Sequence, residues 1–223
     1  MTVGQHVVAA ERAIRTAPER EAVYPWEHAA VAYLLWSGAS RWHNGTPPAG
    51  WPVLVVLLAS QLPDLIDKPL AWQFGVVSSG RSLGHAAVIA VPLAVGVFVV
   101  ARRAGRSPVG GAFAVGYLAH LATDVSPRFP GGAWDLTVVL WPFRTADAAA
   151  DTAARETGAA AQTGEILGGA YPSLLAPDAL LGLGLVGLAI GVWLVDGRPG
   201  CRELLVVGRW PASVLSPLRQ RRE

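Results

Sequence analysis

The chain has 223 residues, of which 52% are hydrophobic and only 15% charged, and its net charge is +2. Soluble domains carry about 25% charged residues, so this composition excludes a disordered chain and argues against an ordinary soluble enzyme; the small net charge argues against a nucleic-acid partner. The single cysteine, Cys201, excludes an internal disulfide framework and a thiolate zinc cluster.

Residues 1–25 read as a polar N-terminal tail; Glu11, Arg12, Arg15, Glu19, Arg20 and Glu21 interrupt it, so no secretory leader is expected there. Apolar runs follow at 29–40, 53–62, 86–101 and 109–119, with a further one at 179–195. The links Gly45-Thr46-Pro47-Pro48 and Gly105-Arg106-Ser107-Pro108 are short helix-to-helix turns. The expected fold is therefore all-α, a polytopic integral membrane bundle of about five transmembrane helices. A short segment at 134–143, flanked by Trp134 and Trp141, is too brief to span and reads as interfacial.

In this division residues 26–143 form a membrane core and 144–177 an Ala- and Gly-rich flexible loop or lid. Residues 178–197 are the last span and 198–223 a basic cytoplasmic tail. The arginines of the Arg102-Arg103-Ala104-Gly105-Arg106 link favour the cytoplasmic side for that link. The expected location is thus the inner membrane, multi-pass. The same zigzag sets His28, Asp64, Asp67, His85, His120 and Asp124 on the opposite, extracytoplasmic face.

Those six residues carry the chemistry. Leu62-Pro63-Asp64-Leu65-Ile66-Asp67 holds two carboxylates three apart, which repel each other unless a cation joins them. His120 and Asp124, four apart, share one helix face and offer nitrogen and oxygen to one ion. A mixed His and Asp set suits zinc, manganese or iron better than calcium or magnesium. Each residue also has a blander reading. Asp64 could end a helix, His28 and His85 could sit at helix starts, and His120 could bond Asp124 across one turn. Arg81 could pair with an aspartate or bind an anionic substrate. The blander readings leave unexplained why all these groups fall on one side. His6 and His43 lie in polar segments and take no role.

The order of motifs carries a resemblance. Trp26-Glu27-His28, the 62–67 motif, Gly80-Arg81-Ser82-Leu83-Gly84-His85, the run from Gly116 to Asp124 and Leu140-Trp141-Pro142-Phe143 are together similar to the YdjM-like family. Those are membrane-bound proteins regarded as metal-dependent hydrolases, distantly grouped with zinc-dependent phospholipase C and P1-type nucleases. The resemblance covers about residues 25 to 143. It implies His28, Asp64, Asp67, His85, His120 and Asp124 as the metal-site residues. The histidine list is shorter than that of the phospholipase relatives, which points to one or two ions rather than three.

The resulting expectation is a membrane-bound metal-dependent hydrolase of a phosphoester in a lipid or lipid-linked substrate. Its cofactor is a divalent metal, zinc first, with manganese or iron as alternatives. Asp67 is either a ligand or the general base, and Arg81 holds the phosphate. Membrane lipid is the expected partner, with no nucleic acid. The rival expectation is a non-enzymatic membrane scaffold with a structural metal site. A transporter would need inverted repeats and polar groups near the bilayer midplane, and the sequence has neither.

Overall fold

The computed structural model describes residues 24–127, 132–144 and 177–207. Among them the chain is helical, with no strand. They include, in order, the α-helices α1 (Pro25–Asn44), α2 (Gly50–Ala59), α3 (Leu62–Lys68), α4 (Ala87–Arg103), α5 (Ser107–Val125) and α6 (Pro177–Val195), and residues 201–207 are helical as well. A π turn, Pro69–Gln73, extends α3, and a short 3-10 turn, Leu136–Val139, lies between α5 and α6.

Local chemistry fixes the helix ends that matter for the site. At the start of α1, Pro25 needs no amide partner, and the Glu27 carboxylate reaches back to accept from the Tyr24 amide at 2.9 Å. This closure seats His28 in the first turn. Gly45 ends α1 with φ +70, in the left-handed region that glycine adopts without strain. The apolar run at 53–62 does not continue as one helix. It breaks at Ser60 and Gln61, and α3 begins at Leu62 with Pro63 in its first turn.

Helix α5 is the hub and packs against α1, α2, α3 and α4. Its interfaces are built from small side chains. Ala32, Val56, Ala112 and Ala119 join α1, α2 and α5, while Ala90, Tyr117 and Leu121 join α4 to α5. Small residues let helix backbones approach closely. The extreme case is Gly116, where a Cβ would lie 2.4 Å from the Val56 carbonyl oxygen and 3.0 Å from the Ala59 Cβ. The large apolar side chains point outward instead: Val91, Val95 and Val100 on α4, and Leu181, Leu188 and Ile190 on α6, are exposed. Exposed apolar side chains in such number accord with contact with a membrane or a partner.

Helix α6 docks mainly on α1. Just past its end, the buried Asp196 carboxylate accepts from Tyr33 Oη and Ser37 Oγ, both at 2.6 Å, and from the Arg41 guanidinium. Those three donors sit at successive fourth positions of α1, on one face.

The expectation of five membrane-crossing helices is overturned. No helix among the described residues is long and apolar enough to cross a membrane. A bilayer core of about 30 Å needs about 20 apolar residues. Helix α4 has 17 residues and α2 has 10. Helix α1 reaches 20 but carries Glu27, His28, Arg41 and His43. The apolar runs do fold as helices; the one at 53–62 is divided by a turn, and the others lie in helices that take in polar or charged residues or stay under 20 residues. The extracytoplasmic placement of the site rested on the same zigzag and loses that support. The expected 144–177 loop, apart from its ends, lies outside the described residues, as do most of the N-terminal tail and residues 208–223 of the C-terminal one.

Two stability outcomes follow from this packing. Gly116→Val should cost about 1–3 kcal/mol, since backbone rather than a flexible side chain blocks the new methyls. Asp196→Ala should cost about 1–3 kcal/mol, reduced from the value for a fully buried pair because Arg41 is partly exposed. Denaturant unfolding in detergent measures both, and wild-type midpoints would refute the packing account.

Candidate metal centre

The six expected residues come together at one end of the bundle. His28 comes from the first turn of α1, Asp64 and Asp67 from α3, and His85 from just before α4. His120 and Asp124 come from the last two turns of α5. The three imidazoles are at most 1% exposed, and the Asp124 side chain 3%. Asp64 is half-buried at the edge.

The hydrogen bonds decide which nitrogen of each ring faces inward. His120 Nδ1 lies 2.6 Å from the Ser60 carbonyl oxygen, which can only accept, so Nδ1 carries the proton. The break between α2 and α3 leaves that carbonyl available. His85 Nδ1 lies 2.8 Å from Asp67 Oδ2 and donates to it. His28 Nδ1 lies 2.6 Å from Thr123 Oγ1. The Thr123 hydroxyl spends its own proton on the His120 carbonyl at 2.8 Å, so it accepts from His28. In their neutral forms all three rings therefore keep an Nε2 lone pair for the interior.

These lone pairs meet each other. His85 Nε2 and His120 Nε2 are 3.1 Å apart, and the His28 ring stacks on His120 with centroids at 3.9 Å. Asp64 Oδ1 is 3.6 Å from His85 Nε2 and 3.8 Å from His120 Nε2. Asp124 Oδ2 is 3.3 Å and 3.8 Å from the same two nitrogens, and its Oδ1 is 3.5 Å from His28 Nε2. Two nitrogens on one zinc ion, each at 2.0–2.1 Å, are separated by roughly 2.9–3.4 Å for bond angles of 90–110°. The observed spacing fits that range. Two sets of three donors lie within 4.8 Å of one another: His28, His120 and Asp124, and Asp64, His85 and His120. His120 offers one inward lone pair, so the sets overlap in one centre. Three imidazoles with two carboxylates suit zinc, manganese or iron.

Electrostatics favour neutral rings at His28 and His120 and act the other way at His85. Burial, and then the neighbouring His120, hold the His28 pKa down to about 3, so its contact with Asp124 is not an ion pair at neutral pH. Burial also lowers His120. At His85 burial acts downward but is outweighed by Asp124 and Asp67, which raise its pKa. Burial opposes ionisation of Asp124, yet the His85 bond and the Arg81 guanidinium prevail and hold it below the usual carboxylate range.

Asp67, expected as a ligand or general base, has a different place. Its oxygens accept from the amides of Ser82 at 2.7 Å, Gly84 at 2.8 Å and His85 at 3.1 Å, as well as from His85 Nδ1. It is fully buried and belongs to neither set of three donors. Gly84 permits the wrap, because a Cβ there would lie 2.9 Å from the Pro63 carbonyl oxygen. Tyr117 closes it by donating to the Gly84 carbonyl at 2.7 Å; burial, then the Asp67 charge, push its phenol up to about 12. Carboxylates behind metal-binding histidines fix ring orientation in this way.

Arg81 sits at the edge, 30% exposed, with Nε 3.5 Å from Asp124 Oδ2. Three participants were not singled out from sequence: Thr123, the Ser60 carbonyl and Lys68. Lys68 alone had a visible signal, its fourth-residue spacing from Asp64.

Nitrogen-15 NMR of selectively labelled protein should find protonated Nδ1 on His28, His85 and His120 in the zinc-loaded state. Protonated Nε2 on any of the three would break the donor assignment. Asp67→Asn should weaken zinc binding by about 10–100-fold without lowering its stoichiometry, since it removes an orienting group and no donor. Loss of the ion altogether would make Asp67 a ligand.

No curated protein and no solved structure matches the chain. The YdjM inner membrane protein family does match, over residues 24–195, a span that contains the whole donor cluster and α1 through α6. The exposed apolar side chains of α4 and α6 accord with the location in that description. On this match the chain belongs to the YdjM inner membrane protein family.

Proposed function

We propose that the chain is a metal-dependent hydrolase acting on a phosphoester in a lipid or lipid-linked substrate at the inner membrane. The observation that carries the metal is the convergence of three Nε2 lone pairs on Asp64 and Asp124, with 3.1 Å between two of them. Neutral imidazoles so placed repel, and either a proton on His85 Nε2 or a cation among the rings relieves that repulsion. A divalent cation bound there supplies Lewis acidity and neutralises charge on a phosphoryl group.

The chain's own residues supply the rest. Arg81, beside Asp124 and partly open to solvent, is placed to hold a phosphoryl oxygen. Asp67 keeps the His85 ring in one tautomer. Burial of the imidazoles keeps water from competing for their lone pairs.

One observation favours a second reading, a scaffold with a structural metal. The donors come from α1, α3, the segment before α4, and α5, so an ion there would tie four elements together. Hydrolysis separates the two. Purified protein in detergent or liposomes is assayed on phospholipids, nucleotides and generic diesters, after chelation and again after zinc is restored. The enzyme reading expects turnover that leaves and returns with zinc. It further expects Arg81→Ala to keep the ion while losing about 10²–10³ in turnover. Bound zinc with no turnover on any of these substrates would favour the scaffold.

A further inference from the structure

Lys68 is the one lysine of the described residues in contact with the donor cluster. Its ammonium lies 2.7 Å from Asp64 Oδ2, while Asp64 Oδ1 is the oxygen turned to His85 and His120. Two further features distinguish it from a solvated surface lysine. It is only 33% exposed, and its ammonium lies 5.8 Å over the Trp72 ring, within cation–π range. The Trp72 indole lies beside Gly80, where an added Cβ would stand 3.4 Å from the ring. Asp64, Lys68 and Trp72 thus form a stack along α3 and its π turn, with Lys68 gripped from both sides.

Asp64 needs such a grip more than the other donors. It is the least buried of them, and no hydrogen bond other than the one from Lys68 reaches its side chain among the described residues. A free aspartate would sample both oxygens and several rotamers. We propose that Lys68 is a positioning residue for the metal centre: it holds Asp64 Oδ2 so that Asp64 presents Oδ1 alone to the histidine cluster. This rests on the metal reading above. Arg81 stands in a parallel relation to Asp124, at the longer distance of 3.5 Å.

The test is zinc affinity of the full chain, by competition with a chromophoric chelator, together with the visible spectrum of the cobalt(II) form. Lys68→Met should weaken zinc binding about 10–100-fold and alter the cobalt bands, with stoichiometry unchanged. Lys68→Arg should restore both, and Trp72→Leu should shift affinity the same way by less. Metal-free unfolding midpoints of each variant separate this from a general loss of fold. Wild-type affinity and spectrum in Lys68→Met would overturn the proposal. Tighter binding would overturn it too, by making Lys68 a competitor of the metal for Asp64. Failure of the wild-type chain to bind zinc or cobalt would refute the metal reading itself and the proposal with it, and that result is visible before any variant is made.

Discussion

Everything at the centre depends on where three imidazole protons are held. A carbonyl, a carboxylate and a spent hydroxyl each take one Nδ1–H, and none of these groups can give a proton back. In their neutral forms the rings thereby show unprotonated nitrogens to one another inside a buried space. Without those outer bonds the rings could flip or exchange tautomers, and the same residues would form an ordinary buried histidine cluster. The chemistry is set by the second contact of each ring as much as by the first.

That arrangement needs close helix packing, which explains the composition. The Ser60 carbonyl reaches His120 because the α5 backbone at Gly116, one turn before His120, comes close to the Val56 carbonyl of α2. Alanines at 32, 90, 112 and 119 serve the same end. Small residues occupy the interior, which displaces the valines and leucines outward onto α4 and α6. A protein built this way is apolar overall and yet places its polar groups at one end and in one clamp at Asp196. Membership of an inner membrane family and an apolar exterior are two aspects of this arrangement.

The donor cluster was largely legible in the sequence, because ionisable residues at the edges of apolar runs are expensive and converge for a reason. His120 and Asp124 were legible as a helical pair. From sequence Asp64 is a ligand and Asp67 a ligand or the general base, since their spacing does not say which one a distant loop will wrap; the amides of Ser82, Gly84 and His85 wrap Asp67 and set it behind His85. Thr123 and the Ser60 carbonyl carry no motif and emerge only from the packing. The membrane-crossing helices were read from apolar run length alone. The run at 53–62 breaks at Ser60, and the 86–101 run closes as a helix of 17 residues, short of the length a bilayer core needs. No sequence signal distinguished a break that creates a hydrogen-bond acceptor from one that merely turns the chain.

The central claim is that one divalent ion is held by imidazole Nε2 atoms and carboxylate oxygens at this end of the bundle. X-ray absorption on the zinc-loaded, purified chain tests it most directly. The account predicts nitrogen and oxygen neighbours at about 2.0–2.1 Å, with the outer-shell scattering of at least two histidine rings and no sulfur. A chain that takes up no zinc, or zinc whose spectrum lacks imidazole scattering, would contradict it.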